Sequence, residues 1–421
     1  MHTDMPEAHS KGRGSAQPRS LWRNRDFLLL WSGQTVSIFG TYVSRLALPL
    51  LVLALTHSPA QAGLLTAVEL LPYLLLSLPA GALVDRWNRK ALMIWCDTMR
   101  LLALGSIPLA FALGHLTVAQ LYVVAAVAGI SDVFFGLAQI SSLPQVVAPA
   151  QLPRAWSLSE ASDASGRLLG PGLAGIIIGL SRTTVAGAAL AYLADSISYL
   201  ASVISLRFIR VPFQAERLVS GERPCLRREM VEGLRFLRKN RVLLLLALLT
   251  MSSNFFQAPI TLAVIVLARD QLHIDVQTLG LMFSAGGLGA LVGATLAPKG
   301  KEQLRFGFII VGGLALWTLA AVLLALAGSP PPLVASLTLV QFVWPFYGVA
   351  VVTYRFSLVP DELQGRVTSA FRVLTFGAEP LGAALGGVLL AALGARPVLW
   401  LIAAGVGLTA LLAAISPVRK I

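Results

Sequence analysis

Stretches of about 18 or more mostly apolar residues recur from one end of this 421-residue chain to the other, and each is long enough to cross a hydrocarbon core of roughly 30 Å at about 1.5 Å per residue. Twelve such spans are read, at 27–52, 62–84, 91–112, 117–140, 164–181, 186–207, 242–268, 278–297, 305–327, 333–356, 367–391 and 396–416. Lipid offers the backbone no hydrogen-bond partners, so each span is predicted to be helical, and the even count leaves both chain ends on one side. The fold class is therefore an all-α membrane protein. Only 13% of the residues are charged, about half of what a soluble domain carries, which excludes a water-facing surface over most of the chain.

A net charge of +13 raises the question of nucleic acid, and the placement of the cations answers it. Of the 33 Lys and Arg residues, 26 fall in the termini and alternate loops and 3 (Arg182, Arg269 and Arg396) in the intervening loops; the other 4 (Arg45, Arg100, Arg167 and Arg372) lie in or beside spans. This is the positive-inside asymmetry, and it predicts a bacterial inner-membrane protein with cytoplasmic termini and no nucleic-acid partner. Cys96 and Cys225 both fall toward the reducing side, so no disulfide is expected. Residues 1–20 are polar and predicted to be disordered.

The longest polar interruption divides the chain into a bundle of six spans at 21–207, a linker at 208–241, a second bundle at 242–416 and a tail at 417–421. Within the linker, Leu226–Lys239 places apolar residues at helical spacing opposite Arg and Lys, predicting an amphipathic helix on the cytoplasmic membrane face. The halves read as duplicates. Pro149-Ala-Gln-Leu152 matches Pro360-Asp-Glu-Leu363 at an offset of 211, and Gly63-Leu64 matches Gly280-Leu281 at 217. Such repeats place a substrate site near the midplane, between the halves.

Between spans two and three stands Gly81-Ala-Leu-Val-Asp85-Arg86-Trp-Asn-Arg89-Lys90. Gly81 would let a helix end approach a neighbour, Asp85 could accept hydrogen bonds from a helix N-terminus or pair with an arginine, and the three cations also read as simple topology anchors. The segment resembles the loop signature of the major facilitator superfamily at all its fixed positions, where it latches the two halves together on the cytoplasmic side. Leu21–Phe27, Ala47–Leu50, Asp195–Tyr199 and Gly365-Arg366-Val367 resemble the branch of macrolide-efflux and enterobactin-exporter-like drug:proton antiporters. In span five, Gly166, Gly170, Pro171 and Gly175 are similar to the glycine-proline motif of superfamily antiporters; glycines at this spacing also serve ordinary close helix packing. Two departures stand out. The second-half counterpart of the loop, around Gly293–Lys301, has lost its acid, and span four carries Asp132 where many proton-coupled exporters have an arginine.

Ionisable residues inside a membrane cost several kcal/mol and are functional candidates by default. Arg45 and Glu69 fall in the outer part of adjacent spans and are expected to pair. A carboxyl out of water favours its protonated form and an approaching arginine favours its charged form, so Glu69 is the first proton-coupling candidate, with Arg45, Asp132 and Glu379 beside it. Asp97, Arg100 and Asp132 share a depth and are expected to form a network supporting the Asp85 loop, and Asp195 reads as a packing residue. For substrate, the spans that line the cavity in the resembled family offer Gln34, Tyr42, Asn254, Phe255, Phe256, Gln257, Trp344, Phe346 and Tyr347, a set suited to an amphipathic organic molecule.

The expectation is a major facilitator fold of two six-helix halves that exports a drug or natural product by proton antiport, monomeric, with no cofactor or metal. A dedicated siderophore or secondary-metabolite exporter is the nearest alternative. A membrane-embedded transferase is disfavoured because His57, His115 and His273 lie on separate loops. An ATP-driven pump is excluded because Gly300-Lys301 is followed by Glu302 and lacks the preceding glycine of a phosphate loop.

Overall fold

The computed structural model describes residues 21–84, 86–214, 226–360 and 363–420, and the spans follow one another as antiparallel helices. The first half holds α1 (Arg25–Thr56), α2 (Pro59–Val84), α3 (Arg89–Ala112), α4 (Val118–Val146), α5 (Leu152–Gly179) and α6 (Thr184–Phe208). The linker contributes α7 (Leu226–Lys239). In the second half come α8 (Arg241–Gln257) and α9 (Ile260–Val266), which together make span seven, then α10 (Val276–Gln303), α11 (Phe306–Leu326) and α12 (Pro330–Leu358). Span eleven is likewise a pair, α13 (Gln364–Phe376) and α14 (Glu379–Leu393), and α15 (Ala395–Ile415) ends the bundle. Eleven of the spans have the length and apolar character to cross a bilayer. The exception is α5, which begins at Leu152 rather than near residue 164 and so adds Arg154, Glu160 and Asp163 to a helix that already held Arg167.

Spans seven and eleven, expected to be continuous, are each broken in the middle. Pro259 has no N–H to give to the ladder, and α8 ends just before it. The break in span eleven falls at Gly377 and Ala378. The two breaks lie side by side. The backbone of Phe255 abuts Gly382, the Pro259 ring abuts Gly386, and the Asn254 side chain donates to the Thr375 carbonyl at 2.9 Å. Breaks of this kind survive in a membrane only when the freed backbone groups find a partner, which Asn254 supplies.

The duplication is written into the helix ends. Asn24 caps α1 by accepting from the Phe27 N–H, and Asn240, 216 residues later, caps α8 by accepting from Leu243. His57 and His273, again 216 apart, close the first span of each half with a left-handed backbone at φ of 52° and 53°. Ser58 and Asp275 then cap the second span of each half.

The halves meet along two seams, α2 against α14 and α5 against α10. Both are tightest on the face opposite the basic loops. A Cβ added to Gly63 would come within 2.6 Å of the Gly387 Cα, and one on Gly175 within 2.9 Å of the Gly280 Cα. Lipid gives helices no hydrophobic reason to associate, so contacts of this kind depend on small residues that let backbones touch. Gly63 and Gly280, matched in the sequence, thus occupy equivalent positions in the two seams. On the basic face, α7 lies against α13, with Gly233 on the Arg366 carbonyl, Glu232 paired to Arg366 at 2.5 Å and Leu237 fully buried.

Candidate functional site

A cavity of about 380 Å³ enters the first half from the basic face. It lies between α1, α3, α4 and α5, and its walls carry Trp31, Gln34, Tyr42, Phe135 and Trp156 together with Arg45, Arg100, Asp132, Glu160 and Asp163. The early start of α5 is what builds one wall. Its first three turns face this cavity and can be polar, which is why hydropathy does not register them.

At the inner end of the cavity runs a chain of polar contacts. The Gln34 amide donates to Ser202 Oγ at 2.9 Å, and Ser202 donates to Asp97 Oδ2 at 2.6 Å. Asp97 faces the Arg100 guanidinium at 3.5 Å, and Arg100 in turn is ion-paired and hydrogen-bonded to Asp132. Arg100 also lies over the rings of Phe135 and Tyr199, at 5.2 and 5.3 Å. The two carboxylates that share it differ in access: the Asp97 side chain is 0% exposed and that of Asp132 is 43% exposed. The buried arginine is held between two acids and two rings, since a desolvated charge must be offset, although its Nε and the Asp97 Oδ1 have no hydrogen-bond partner among the described residues. The expected grouping of Asp97, Arg100 and Asp132 is present, with Ser202 as a member that sequence did not suggest.

Beyond Asp132 a smaller chamber of about 40 Å³ is lined by Arg45, Glu69, Asp195, Tyr192 and Tyr199. Asp195 is sealed, accepting from Ser44 at 2.5 Å and from Ser198 at 3.2 Å, and joins α6 to α1. Arg45 borders both spaces. It forms no ion pair with Glu69, contrary to expectation. Its guanidinium instead lies over the Tyr42 ring at 5.0 Å, an arrangement available because the side chain is open to the cavity. Among the carboxylates, Glu69, Asp132 and Asp163 of its own half act on it electrostatically, as does Glu379, the first residue of α14, from the other.

The Major Facilitator Superfamily profile matches residues 30–378. The chain belongs to that superfamily. Among curated relatives it is 27% identical to the "Multidrug efflux pump Tap" of Mycolicibacterium fortuitum, over 87% of this chain and 89% of that one. It is 24% identical to "Macrolide efflux protein A" of Streptococcus pyogenes, over 85% and 87%. The fold matches the crystal structure of the nucleoside transporter NupG with a TM-score of 0.74 at 13% identity, covering 92% of this chain and 98% of that one. It is a multi-pass membrane transporter of small molecules and not an enzyme.

Within this facilitator the other predicted residues sort by place. Asp85 of the loop signature lies outside the described residues. Arg89 donates to the Ser141 carbonyl at 2.8 Å, and Lys90 donates to the Ile209 carbonyl at 2.6 Å, so these cations sit at the C-terminal ends of α4 and α6 where the helix dipole favours them. Arg86 is exposed. Gly81 does not mediate a close approach: a Cβ there would meet nothing within 4 Å, because this end of α2 stands away from the other half. In span five, Gly166 and Gly170 lie on the Tyr42 side chain, while the Pro171 carbonyl and Gly175 lie on Gly280. The motif therefore packs α5 on α1 and α10 at once.

Of the substrate candidates, Gln34 and Tyr42 line the cavity and those of the second half do not. Gln257, Trp344 and Tyr347 border a separate void of about 20 Å³, Tyr347 bonded to Thr250 at 2.9 Å and stacked on Trp344. Asn254 is spent on the broken helix, the Phe256 ring is pressed on Gly405, and Phe255 and Phe346 pack against Phe256 and Phe342. Sequence reasoning missed Asp163, which accepts from the Tyr42 hydroxyl at 3.0 Å and pairs with Arg167 at 2.7 Å. The signal was available, since Asp163 and Arg167 stand four apart, as helical ion pairs do. Among the described residues no three His, Cys, Asp or Glu side chains are grouped as metal ligands would be.

Proposed function

We propose that this facilitator is a monomeric secondary transporter of a bacterial inner membrane, with cytoplasmic termini, that exports an amphipathic organic molecule in exchange for protons. The observation that carries the reading is the combination of seams closed on one face and a cavity open on the face where the basic loops lie. With those loops inside the cell, this is the cytoplasm-open form of an alternating-access cycle, the form that loads cargo for export. The names of the efflux relatives support the direction. Coupling is assigned to Arg45 and the carboxylates around it: a proton arriving at Glu69 or Asp132 would weaken the negative field that holds the Arg45 guanidinium in its half, and Glu379 is the candidate counter-charge in the other half.

The test is accumulation of an amphipathic dye by inverted membrane vesicles, for the wild type, Glu69→Gln and Asp132→Asn, with and without a protonophore. Uptake that collapses with the protonophore, and falls at least tenfold in one carboxamide variant while passive exchange persists, is expected. Uptake insensitive to the protonophore would refute proton coupling. Absence of uptake for any amphipathic dye would point instead to a dedicated natural-product cargo.

A further inference from the structure

The charge inside the cavity runs against that of the molecule. The protein is +13 overall, yet the cavity wall holds three carboxylates, Asp132, Glu160 and Asp163, against two guanidinium groups, those of Arg45 and Arg100. Arg100 is shared with Asp97, and Asp163 is matched by Arg167. That leaves Arg45, which lies over Tyr42, and Glu160, exposed at the cavity wall, whose side chain has no hydrogen bond or ion pair with any described residue. It stands about 12 Å along α5 from its start at Leu152, by the helical rise. One turn toward the opening is Trp156, 37% exposed and in no ring pair with a described residue. Facing them from α1 is Trp31, whose ring is fixed by its N–H donating to the Leu158 carbonyl at 3.3 Å.

The cavity's own rings show what such faces hold, since Arg45 lies over Tyr42 and Arg100 over Phe135. Two aromatic walls of this cavity already carry a cation of the protein, and the two indoles near the opening carry none. We infer that Glu160, with Trp31 and Trp156, forms the recognition point for a positively charged nitrogen or phosphorus centre bearing apolar substituents, and that Glu160 sets the preference for organic cations over neutral molecules of the same shape. The carboxylate supplies the counter-charge, the indoles accept the apolar groups around the cation, and the free volume beyond admits the rest of the cargo. This deepens the export reading by naming the substrate class, and its test does not need transport to occur.

Purified full-length protein would be titrated with tetraphenylphosphonium, which has no proton to lose, and with neutral triphenylphosphine oxide, using tryptophan fluorescence and equilibrium dialysis. The wild type is expected to bind the cation more tightly than the neutral compound. Glu160→Gln should weaken the cation at least tenfold, about 1.4 kcal/mol, and leave the neutral compound unchanged, which also reports that the variant is folded. Glu160→Asp should restore most of the affinity, and Trp156→Ala should weaken the cation several-fold. Equal binding of the two probes by the wild type, or a Glu160→Gln effect that is the same for both or for neither, would overturn the assignment, whether or not export is observed. Cation-selective binding by a protein that exports nothing would uphold it and refute the transport cycle instead.

Discussion

The two halves of this facilitator share a skeleton and differ in what fills it. Their caps, their left-handed histidines and their seam glycines coincide at offsets of 216 and 217 residues. Inside the first half, however, Asp97, Arg100 and Asp132 are tied into a charged network, with Asp195 sealed by serines nearby, among continuous helices. The interior of the second half is aromatic, with Trp317, Trp344, Tyr347, Phe342 and Phe346 in ring contact, and it contains both helix breaks. A duplicated bundle thus carries its paired buried charges on one side and its helix breaks on the other.

The sharpest way to break that comparison is to remove one buried arginine from each half. Arg100→Leu leaves Asp97 and Asp132 without a counter-charge and is expected to cost about 3–5 kcal/mol, read as a large fall in the thermal unfolding midpoint of the detergent-solubilised protein. Arg355→Leu removes a buried cation that is held over Phe371 and Phe356 and has no carboxylate partner among the described residues; it should cost far less. Equal losses would mean that the halves are not differently built.

A middle-sized effect is expected at the joint. Asn254→Ala strands the Thr375 carbonyl and should cost about 1–3 kcal/mol, with faster amide hydrogen exchange confined to residues 373–380. Unchanged exchange there would show that Asn254 does not hold the break.

The smallest effect separates the equivalent caps Ser58 and Asp275. The Thr278 hydroxyl and N–H both donate to the Asp275 carboxylate and hold its pKa below the ordinary aspartate value. Its contribution, of order 1 kcal/mol for such a cap, is therefore complete at neutral pH and lost as the pH falls through the folded value. Asp275→Ala should lower stability at pH 7 and become silent in acid, while Ser58→Ala should cost the same at both. A pH-dependent Ser58→Ala would refute the distinction.

The twelve spans were legible because lipid imposes a single rule, that apolar length must match bilayer thickness. That rule fails where a helix faces water inside the membrane. The first three turns of α5 were read as loop for this reason, and with them went Glu160 and Asp163. The helix breaks were hidden for a different reason, since hydropathy averages over a window and cannot register one missing N–H at Pro259. Asp97, Arg100 and Asp132 were legible as a group because charge in hydrocarbon must find charge at its own depth. Arg45 was misread because its depth suggested a dry ion pair, whereas its side chain is open to the cavity. Gln257, Trp344 and Tyr347 were expected at the cavity and border a separate small void instead, because a helix in a bundle has several inward faces and residue type does not say which one meets the cavity.

The Gly63–Gly387 and Gly175–Gly280 contacts bear on speed as much as on closeness. Backbones that touch through glycine have no side chains to interlock, and the amides beneath are already bonded within their own helices, so the surfaces can separate there without first disengaging rotamers. Such a joint has low internal friction. In the proposed cycle the pace of opening would then be governed by the charged cavity, where ions would change partners, and a cargo that rearranged those ions would hasten or stall the whole movement from the far end of the molecule.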